Sequence, residues 1–314
     1  MMPYHSSATF LGVEQTHGGL FTSDPTYRII GIPWDHGVTN RPGARLGPKA
    51  IRDASLMLTT EEHPTIGISI KDNILDSGDH QGSMSGTELI EDLAKMTTWC
   101  LGTTAFPVFL GGDHTITQGF LAGASQFFEQ PLNVIHFDAH NDTWGMLMGT
   151  KIHHGAWLRN NVEANEVYPD GNIQLGLRSN SNLDASMFLK PDQNIIRSAR
   201  DLMKLDATRC ALELAQHIEV QNRKFWFTFD IDCLEPAYAP GTGTPEVGGL
   251  STIWVLEFIE ALVLRAGHKI VGMDLVEVCP AYDISQITAL AGATVIHTFI
   301  ASHLKNAKEN SPND

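Results

Sequence analysis

The side chains best suited to chemistry lie in residues 136–143, around the end of an apolar run. That run, residues 132–137, is typical of a short buried strand. Asp138, His140 and Asp142 follow at a spacing of two, and each can bind a metal ion. In an extended backbone this spacing puts them on one side, where a divalent cation would offset their repulsion and burial. The stretch predicts either a metal site or a solvated acidic loop.

Two further predicted strands end in similar side chains. Strand 106–110 is followed by two glycines, which let the chain turn tightly, and then by His114; strand 225–231 leads to Asp230 and Asp232. In an open α/β sheet, ligands bind at the carboxyl ends of the strands. Two histidines and four carboxylates exceed one zinc site, whereas four carboxylates balance two dications. The pattern favours a bridged metal pair, and its many oxygen ligands favour Mn²⁺.

Strands alternate with helices along the chain, which positions these motifs. The other predicted strands are residues 27–32, 173–177 and 270–275. The predicted helices are residues 48–58, 87–101, 117–128, 201–220, 252–266 and 285–305. This alternation predicts an α/β fold, a three-layer sandwich whose central, mainly parallel sheet is flanked by helices. We find no linker and expect one domain over residues 1–314, with an N-terminal arm or loop at 1–26 and frayed residues at 308–314.

Composition excludes some classes of partner. The 314 residues are 42% hydrophobic and 18% charged, with a net charge of −15. An acidic chain is poorly suited to nucleic acid, which needs clustered Lys and Arg. We see no signal peptide and no run of about 20 apolar residues, so we expect a cytoplasmic protein without membrane contact. The four cysteines form no Cys-x-x-Cys pair, and we expect buried thiols, including Cys233 beside a candidate ligand.

A loop with three glycines and three prolines, residues 33–48, follows the first predicted strand. Pro48 suits the first turn of a helix. Asp35 and His36 invite a catalytic role, but a loop that positions the helix and borders a pocket is the favoured interpretation.

The three motifs, at residues 111–114, 138–142 and 230–236, resemble in the same order the signatures of the ureohydrolase (arginase and agmatinase) family. The likeness extends to residues 240–246 and 277–280. The Arg-Pro-Gly-Ala-Arg loop, the Gly-Thr-Gly-Thr-Pro stretch and residues 283–293 look like the agmatinase branch. The resemblance implies a single ureohydrolase domain with an arginase-like fold, assembled as a trimer or hexamer.

The resemblance also implies a centre of two Mn²⁺ ions, with Ni²⁺ as the alternative. One ion would be bound by His114, Asp138, Asp142 and Asp230. The other would be bound by Asp138, His140, Asp230 and Asp232. Asp138 and Asp230 would then be shared, and a hydroxide bridging the metals is the implied nucleophile because two cations lower the pKa of bound water.

Three residues are the predicted catalytic set by the same resemblance: Asp142, His154 and Glu277. Glu277 would hold the guanidinium group by paired charged hydrogen bonds. His154 would carry protons to the leaving amine, although its neighbour His153 leaves this choice open. Hydroxide would attack the guanidino carbon, and urea and an amine would leave.

The substrate tail is less closely specified. Trp144 stands where arginases carry an asparagine and agmatinases a tyrosine; because it has no acceptor and a single donor, it disfavours the carboxylate of L-arginine. Trp144, His154 and Glu277 are the predicted substrate-binding residues. Trp144 and Trp157 either narrow the pocket or pack in the core. Agmatine, yielding putrescine and urea, is the first expectation; 4-guanidinobutyrate, 3-guanidinopropionate and guanidine are alternatives, with Arg159 or Arg178 as candidates for a carboxylate tail.

Two other functions compete with this interpretation. Dimetal phosphoesterases also use Asp-x-His and Gly-Asp motifs, but there Asp-x-His comes first and Gly-Asn-His follows, whereas this chain has the reverse order and no Gly-Asn-His. A catalytically silent ureohydrolase-like subunit would keep the fold and lose turnover. Retention of all six ligand types argues against that loss.

Overall fold

The computed structural model describes residues 8–13, 27–58, 62–103 and 105–310, and the strands of this part form one eight-stranded sheet. The strands are β1 Tyr27–Gly31, β2 Ile74–Asp79, β3 Phe106–Leu110, β4 Asn133–Phe137, β5 Ile173–Leu177, β6 Ile195–Ser198, β7 Phe225–Asp230 and β8 Ile270–Val276. Their order is β2-β1-β3-β8-β7-β4-β5-β6, and each adjacent pair is parallel.

Helices cover both faces of this sheet. They are α1 Gly47–Ser55, α2 Gly86–Gly102, α3 Thr117–Phe128, α4 Trp157–Glu163, α5 Leu183–Ser186, α6 Ala199–Leu202, α7 Ala207–Glu219, α8 Thr252–Ala266 and α9 Ile287–Asn310. Apolar side chains of α2, α3 and α4 pack in one core cluster, and those of α1, α7, α8 and α9 in another. The predicted three-layer α/β sandwich is confirmed.

The structure differs from the sequence prediction at the sheet edges and in the helices: α4 and α5 were not predicted, and one predicted helix begins at a different residue. Strands β2 and β6 were not predicted. Strand β2 carries polar residues and therefore lacks the apolar run that is typical of a buried strand. Within β2, Asp76 is buried against the guanidinium of Arg52, which compensates its charge. The predicted helix 201–220 was too long at its start: α7 begins after Asp206, whose side chain accepts the N–H of Arg209 and so caps the helix.

The chain ends are described only in part. Of the predicted arm at 1–26, residues 8–13 are described; there the N–H of Phe10 donates to Asp76 Oδ2 at 2.8 Å and the N–H of Leu11 to Ser55 Oγ at 2.8 Å. Residues 308–310 form the last turn of α9, and residues 311–314 lie outside the described part. By length and composition α9 could cross a membrane, but 72% of that stretch is buried inside the protein, as in a core helix.

The buried ion pair between α1 and β2 gives a stability prediction. Arg52 contacts Asp76 through Nε at 2.8 Å and also binds Asp79, and all three side chains are buried. Arg52→Met should take the guanidinium away from two buried carboxylates and lower the free energy of unfolding by about 3–5 kcal/mol in urea titration. Lys49→Met on the same helix is the control, because its exposed pair with Asp53 is worth at most about 1 kcal/mol. Equal losses in both variants would contradict the argument.

Candidate active site

The predicted metal ligands and Glu277 come from the ends of four strands that are neighbours in the sheet, β3, β8, β7 and β4. Their parallel direction places the residues that follow them at one edge of the sheet. The positions at this edge are His114 after β3, Glu277 after β8, Asp230 and Asp232 at the end of β7, and Asp138, His140 and Asp142 after β4. Sheet order therefore gathers side chains that are more than 160 residues apart in sequence.

The two glycines after β3 are required for close packing. A Cβ on Gly112 would lie 1.7 Å from the carbonyl oxygen of Trp34, and one on Gly111 would lie 2.5 Å from Val276 Cγ1. Neither glycine has a positive φ. The chain bends at residues 112–113 as predicted, and small size adds a second reason for glycine, because the loop after β3 packs against the backbone of Trp34 and against β8.

The chain turns after β4 and after β7, and these turns bring the candidate ligands together. Extended backbone was predicted at these positions. Residues 139–140 form a bend, and Asp142 has a positive φ of 52°, a conformation that Asp tolerates better than most residues. Asp232 lies in the short 3₁₀ helix Ile231–Cys233, and its N–H donates to Asp230 Oδ1 at 2.8 Å. The two-residue spacing works because the chain turns back after each strand.

A first group of ligand atoms surrounds the imidazole of His114. Its Nδ1 lies 3.0 Å from Asp142 Oδ2, 3.2 Å from Asp138 Oδ2 and 3.3 Å from Asp230 Oδ2. All four side chains are almost completely buried. These four residues are the set that the family resemblance implied for one metal.

The hydrogen bonds behind His114 orient its ring. Its Nε2 lies 2.8 Å from Thr228 Oγ1, and that hydroxyl donates to Asp274 Oδ1 at 2.7 Å. The hydroxyl proton is thus used, so Nε2 donates to Thr228, and in a neutral ring Nδ1 is then the unprotonated nitrogen that faces the carboxylates. That Nδ1 is buried without a hydrogen-bond partner. The Nδ1 lone pair of His114 and the three carboxylates face one another, and a cation bound between them would fit this arrangement.

A second group lies beside the first. His140 Nδ1 is 3.0 Å from Asp232 Oδ2 and 3.2 Å from Asp138 Oδ1. Asp138 thus turns one oxygen to each histidine, as a bridging carboxylate does. Asp230 turns its Oδ2 to His114, and its Oδ1 accepts the N–H of Asp232; the expectation that it is shared between two ions stays a prediction.

The electrostatics of both groups require positive charge. Burial raises the pKa of Asp230, and the carboxylates of Asp232 and Asp138 raise it further, to well above its usual range. Burial lowers the pKa of His140, but Asp232 and Asp138 outweigh it and raise the value to about 12. Protons or cations can meet this demand, and His with carboxylate oxygens is a donor set that suits Mn²⁺. The residues therefore fit a metal pair.

Two supporting residues were missed from the sequence. His136 Nε2 lies 2.8 Å from Asp138 Oδ2, while its Nδ1 accepts from Gln174 Nε2 at 3.0 Å, so Nε2 carries the proton that it donates. The spacing of two before Asp138 was a usable signal for His136. Trp157 is buried and donates to Asp142 Oδ2 at 2.6 Å. It supports a ligand from behind, and it is not among the residues that line the cavity.

Glu277 and His154 meet beside the first group. Glu277 is completely buried, with a φ of 66° that is strained for a side chain of its kind. Its Oε1 accepts from the N–H of His114 at 2.9 Å and from His154 Nδ1 at 2.8 Å, whereas Oε2 has no partner. Burial lowers the pKa of His154, but Glu277 and then Asp113 raise it to about 9.

A cavity of about 230 Å³ is lined by His154 and by the candidate ligands His114, His140, Asp142 and Asp230, while Glu277 lies buried behind it. Among the described residues its lining includes no Lys or Arg; besides the ligands and two histidines it has Thr39, Trp144, Leu147, Gly155, Ser179, Asn180 and Thr244. His153 also lines it, with Nε2 donating to the carbonyl of Gly145 at 2.9 Å. Trp144 thus lies in the wall of the cavity.

The two arginines considered for a carboxylate tail are bound elsewhere. Arg178 donates to backbone carbonyls, including Glu246 at 2.6 Å and Asp232 at 2.7 Å. Arg159 pairs with Asp184 at 2.6 Å and stacks over the ring of Phe188. Neither lines the cavity.

Other residues singled out in the sequence have structural surroundings. Asp35 binds Arg45 and accepts the N–H of Gly43 at 2.8 Å, which fixes the loop after β1. His36 stacks on Trp34 outside the cavity. Cys233 is buried, and burial raises the pKa of its thiol well above the usual range.

Comparisons with known proteins agree with this geometry. The model of the arginase family matches residues 25–301. An agmatinase of Neisseria meningitidis serogroup C is 35% identical over 92% of this chain and 90% of that protein. The mitochondrial guanidino acid hydrolase of Homo sapiens is 34% identical over 87% of this chain and 77% of that protein. A crystal structure described as a hypothetical agmatinase from Burkholderia thailandensis has a TM-score of 0.84, with 31% identity over 96% of this chain and 92% of that one. The chain belongs to the arginase family.

Proposed function

We propose that this protein hydrolyses a guanidino compound to urea and an amine, with agmatine as substrate and putrescine as product. The observation that carries the proposal is the pair of His and Asp groups joined by Asp138, lying beside a buried carboxylate, Glu277, that keeps one oxygen free. We propose two Mn²⁺ ions at these groups, and when bound they lower the pKa of water so that hydroxide is available at neutral pH.

Glu277 is suited to bind the guanidinium group. Its unpartnered Oε2 is an acceptor in a buried position, where an ion pair with a cation is stronger than in water. Gly243 leaves room there: a Cβ at that position would approach Oε2 to 3.4 Å. The planar guanidinium would thereby be held with its central carbon toward the metal groups, and orientation of this kind lowers the barrier to attack.

His154 is suited to supply the proton that the leaving amine needs. Its raised pKa keeps the imidazolium form available at neutral pH, with Glu277 on Nδ1. The leaving nitrogen of an alkylguanidine must be protonated as its bond to carbon breaks. We assign this proton to His154 in preference to His153, because burial lowers the pKa of His153 and favours its neutral form.

The cavity favours a tail without negative charge. A carboxylate tail, as in 4-guanidinobutyrate or L-arginine, would be left unpaired because the described lining has no Lys or Arg and both candidate arginines are bound elsewhere. Trp144 offers an indole face, and a cation near an aromatic face gains about 0.5–2 kcal/mol. This supports agmatine over the guanidino acids.

Urea release from a panel of guanidino compounds tests the proposal. The protein, purified and loaded with Mn²⁺ and separately with Ni²⁺, should release urea from agmatine with a kcat/KM at least about tenfold above that for 4-guanidinobutyrate, 3-guanidinopropionate, guanidine or L-arginine. A preference for a guanidino acid would overturn the assignment of the tail. Bound Mn²⁺ without urea from any compound would favour a silent subunit instead.

A further inference from the structure

The imidazole of His154 has a hydrogen-bond partner on each nitrogen. Nδ1 lies 2.8 Å from Glu277 Oε1, and Nε2 lies 2.7 Å from Thr39 Oγ1. The backbone N–H of Thr39 also donates to Nε2 at 3.2 Å. A backbone N–H can only donate, so Nε2 accepts, and the proton of the neutral ring is on Nδ1, toward Glu277. Neither nitrogen is left free to reach a leaving amine directly.

The hydroxyl of Thr39 is the next group along this path. It is half-buried and lines the same cavity as His154. A threonine hydroxyl both donates and accepts, so it can accept a proton from a charged His154 and donate its own. The backbone N–H at the same nitrogen lacks this property. Thr39 and His154 thus line the cavity together, with the hydroxyl of Thr39 on the Nε2 side of the ring.

The loop that carries Thr39 is fixed at Gly37, two residues before it. The N–H of Gly37 donates to Asp113 Oδ2 at 2.8 Å, and the N–H of His154 donates to the carbonyl of Gly37 at 3.1 Å. Gly37 itself has no space for a side chain, because a Cβ would lie 2.0 Å from Thr115 Oγ1. These contacts hold the hydroxyl at hydrogen-bond distance from Nε2 without a rearrangement of the loop.

We propose that Thr39 relays the proton of His154 to the leaving amine. As the carbon–nitrogen bond breaks, the amine nitrogen takes the hydroxyl proton of Thr39, and Thr39 Oγ1 takes the proton of His154 Nε2. His154 ends neutral with its proton on Nδ1, and Thr39 is regenerated as a hydroxyl. The inference rests on the proposed function, since it requires a guanidino substrate with an amine leaving group.

The charges around His154 are compatible with this direction of transfer. Glu277 contacts the ring, and Asp113 and Asp142 also favour its charged form, while burial opposes it. These acidic groups keep the imidazolium available before bond cleavage. After transfer, the neutral ring retains its hydrogen bonds to Glu277 and to the backbone of Thr39.

The test compares Thr39→Val with Thr39→Ser in the Mn²⁺-loaded protein. Thr39→Val keeps the size and the backbone N–H but removes the hydroxyl, and kcat for agmatine should fall about 100-fold, with KM changed less than about threefold. Thr39→Ser should recover kcat to within about fivefold of the unmodified protein. In the unmodified protein kcat should fall at high pH as His154 loses its proton, and Thr39→Val should lose this fall.

Controls separate the relay from a structural effect. Thr103→Val removes a hydroxyl that donates to the carbonyl of Cys100 at a helix end, and it should leave kcat unchanged. Bound Mn²⁺, measured by mass spectrometry, should be equal in all variants. A full kcat in Thr39→Val, a loss confined to KM, or equal losses in the Val and Ser variants would overturn the relay.

The outcomes also distinguish this inference from the proposed function. Urea release by the unmodified protein together with full activity of Thr39→Val would end the relay alone. A loss of kcat in His153→Asn but not in Thr39→Val would assign the proton to His153, whose buried Nδ1 has no partner, and would also end the relay. No urea from any guanidino compound would end both.

Discussion

Asp138→Asn should remove both metal ions and essentially all activity. Asp138 is the carboxylate that faces both histidines, with Oδ2 at 3.2 Å from His114 Nδ1 and Oδ1 at 3.2 Å from His140 Nδ1. An amide keeps one acceptor oxygen but carries no charge, so neither group of ligands can balance a dication. We expect less than one Mn²⁺ per chain by mass spectrometry and a fall in kcat/KM for agmatine of at least about 1000-fold.

Asp230→Asn serves as the comparison, because the expected sharing of Asp230 between two ions is a separate prediction. Asp230 contacts His114, while its other oxygen accepts the N–H of Asp232. If Asp230 binds one ion only, this variant should retain about one Mn²⁺ per chain; if it is shared, both should be lost. Asp201→Asn, at an exposed side chain, should change neither metal content nor activity. Two ions bound in Asp138→Asn would contradict its bridging position.

The ligands were predictable because they follow apolar strands at short, regular spacing. Sequence order placed His114, Asp138 and Asp230 after separate strands, and parallel strands share a carboxyl edge. Sequence could not show that β8 lies between β3 and β7, since strand order depends on how helices pack on the sheet. That order brings Glu277 to within hydrogen-bond distance of the backbone of His114.

Residues that support the ligands from behind were harder to predict. Thr228 in β7 and His136 in β4 each lie two residues before a candidate ligand, and this spacing indicates that they are near it. Trp157 lies in α4, and only the three-dimensional fold brings its indole N–H to Asp142. The sequence allowed its ring to lie either in a pocket wall or in the core, and in the structure the ring is fully buried. Local patterns identify metal ligands more readily than the hydrogen bonds that orient them.

The loop that contains Thr39 shows a second reason why part of the site could not be predicted from the sequence. Three glycines and three prolines predict a structured loop at residues 33–48. Within it, Asp35 and His36 are the residue types that most suggest a catalytic role. The structure places Asp35 and His36 in supporting contacts, whereas the hydroxyl of Thr39 reaches His154. A threonine carries no charge and has no motif spacing to mark it, so its contact required a structure.

Glu277→Gln should abolish turnover while leaving the metals bound. The amide keeps the length of the side chain and an oxygen that can accept from the N–H of His114, but it cannot pair its charge with a guanidinium group. We expect kcat/KM for agmatine to fall by at least about 1000-fold, which is the loss of a buried charged contact present in the transition state. Bound Mn²⁺ should remain at the level of the unmodified protein.

Activity per folded protein separates a binding role for Glu277 from a purely structural one. Its buried Oε2 has no partner, its φ is 66°, and burial together with Glu277 raises the pKa of the nearby Asp113 to about 6. Glu277→Gln relieves this concentration of negative charge, but it also takes the buried counter-ion from His154, 2.8 Å away, so either role allows a loss of stability. In the binding role, kcat/KM stays low in protein that urea titration shows to be folded and that has Mn²⁺ bound. A structural glutamate would show lower stability with activity retained by the folded fraction, and that result would rule out Glu277 as the guanidinium ligand.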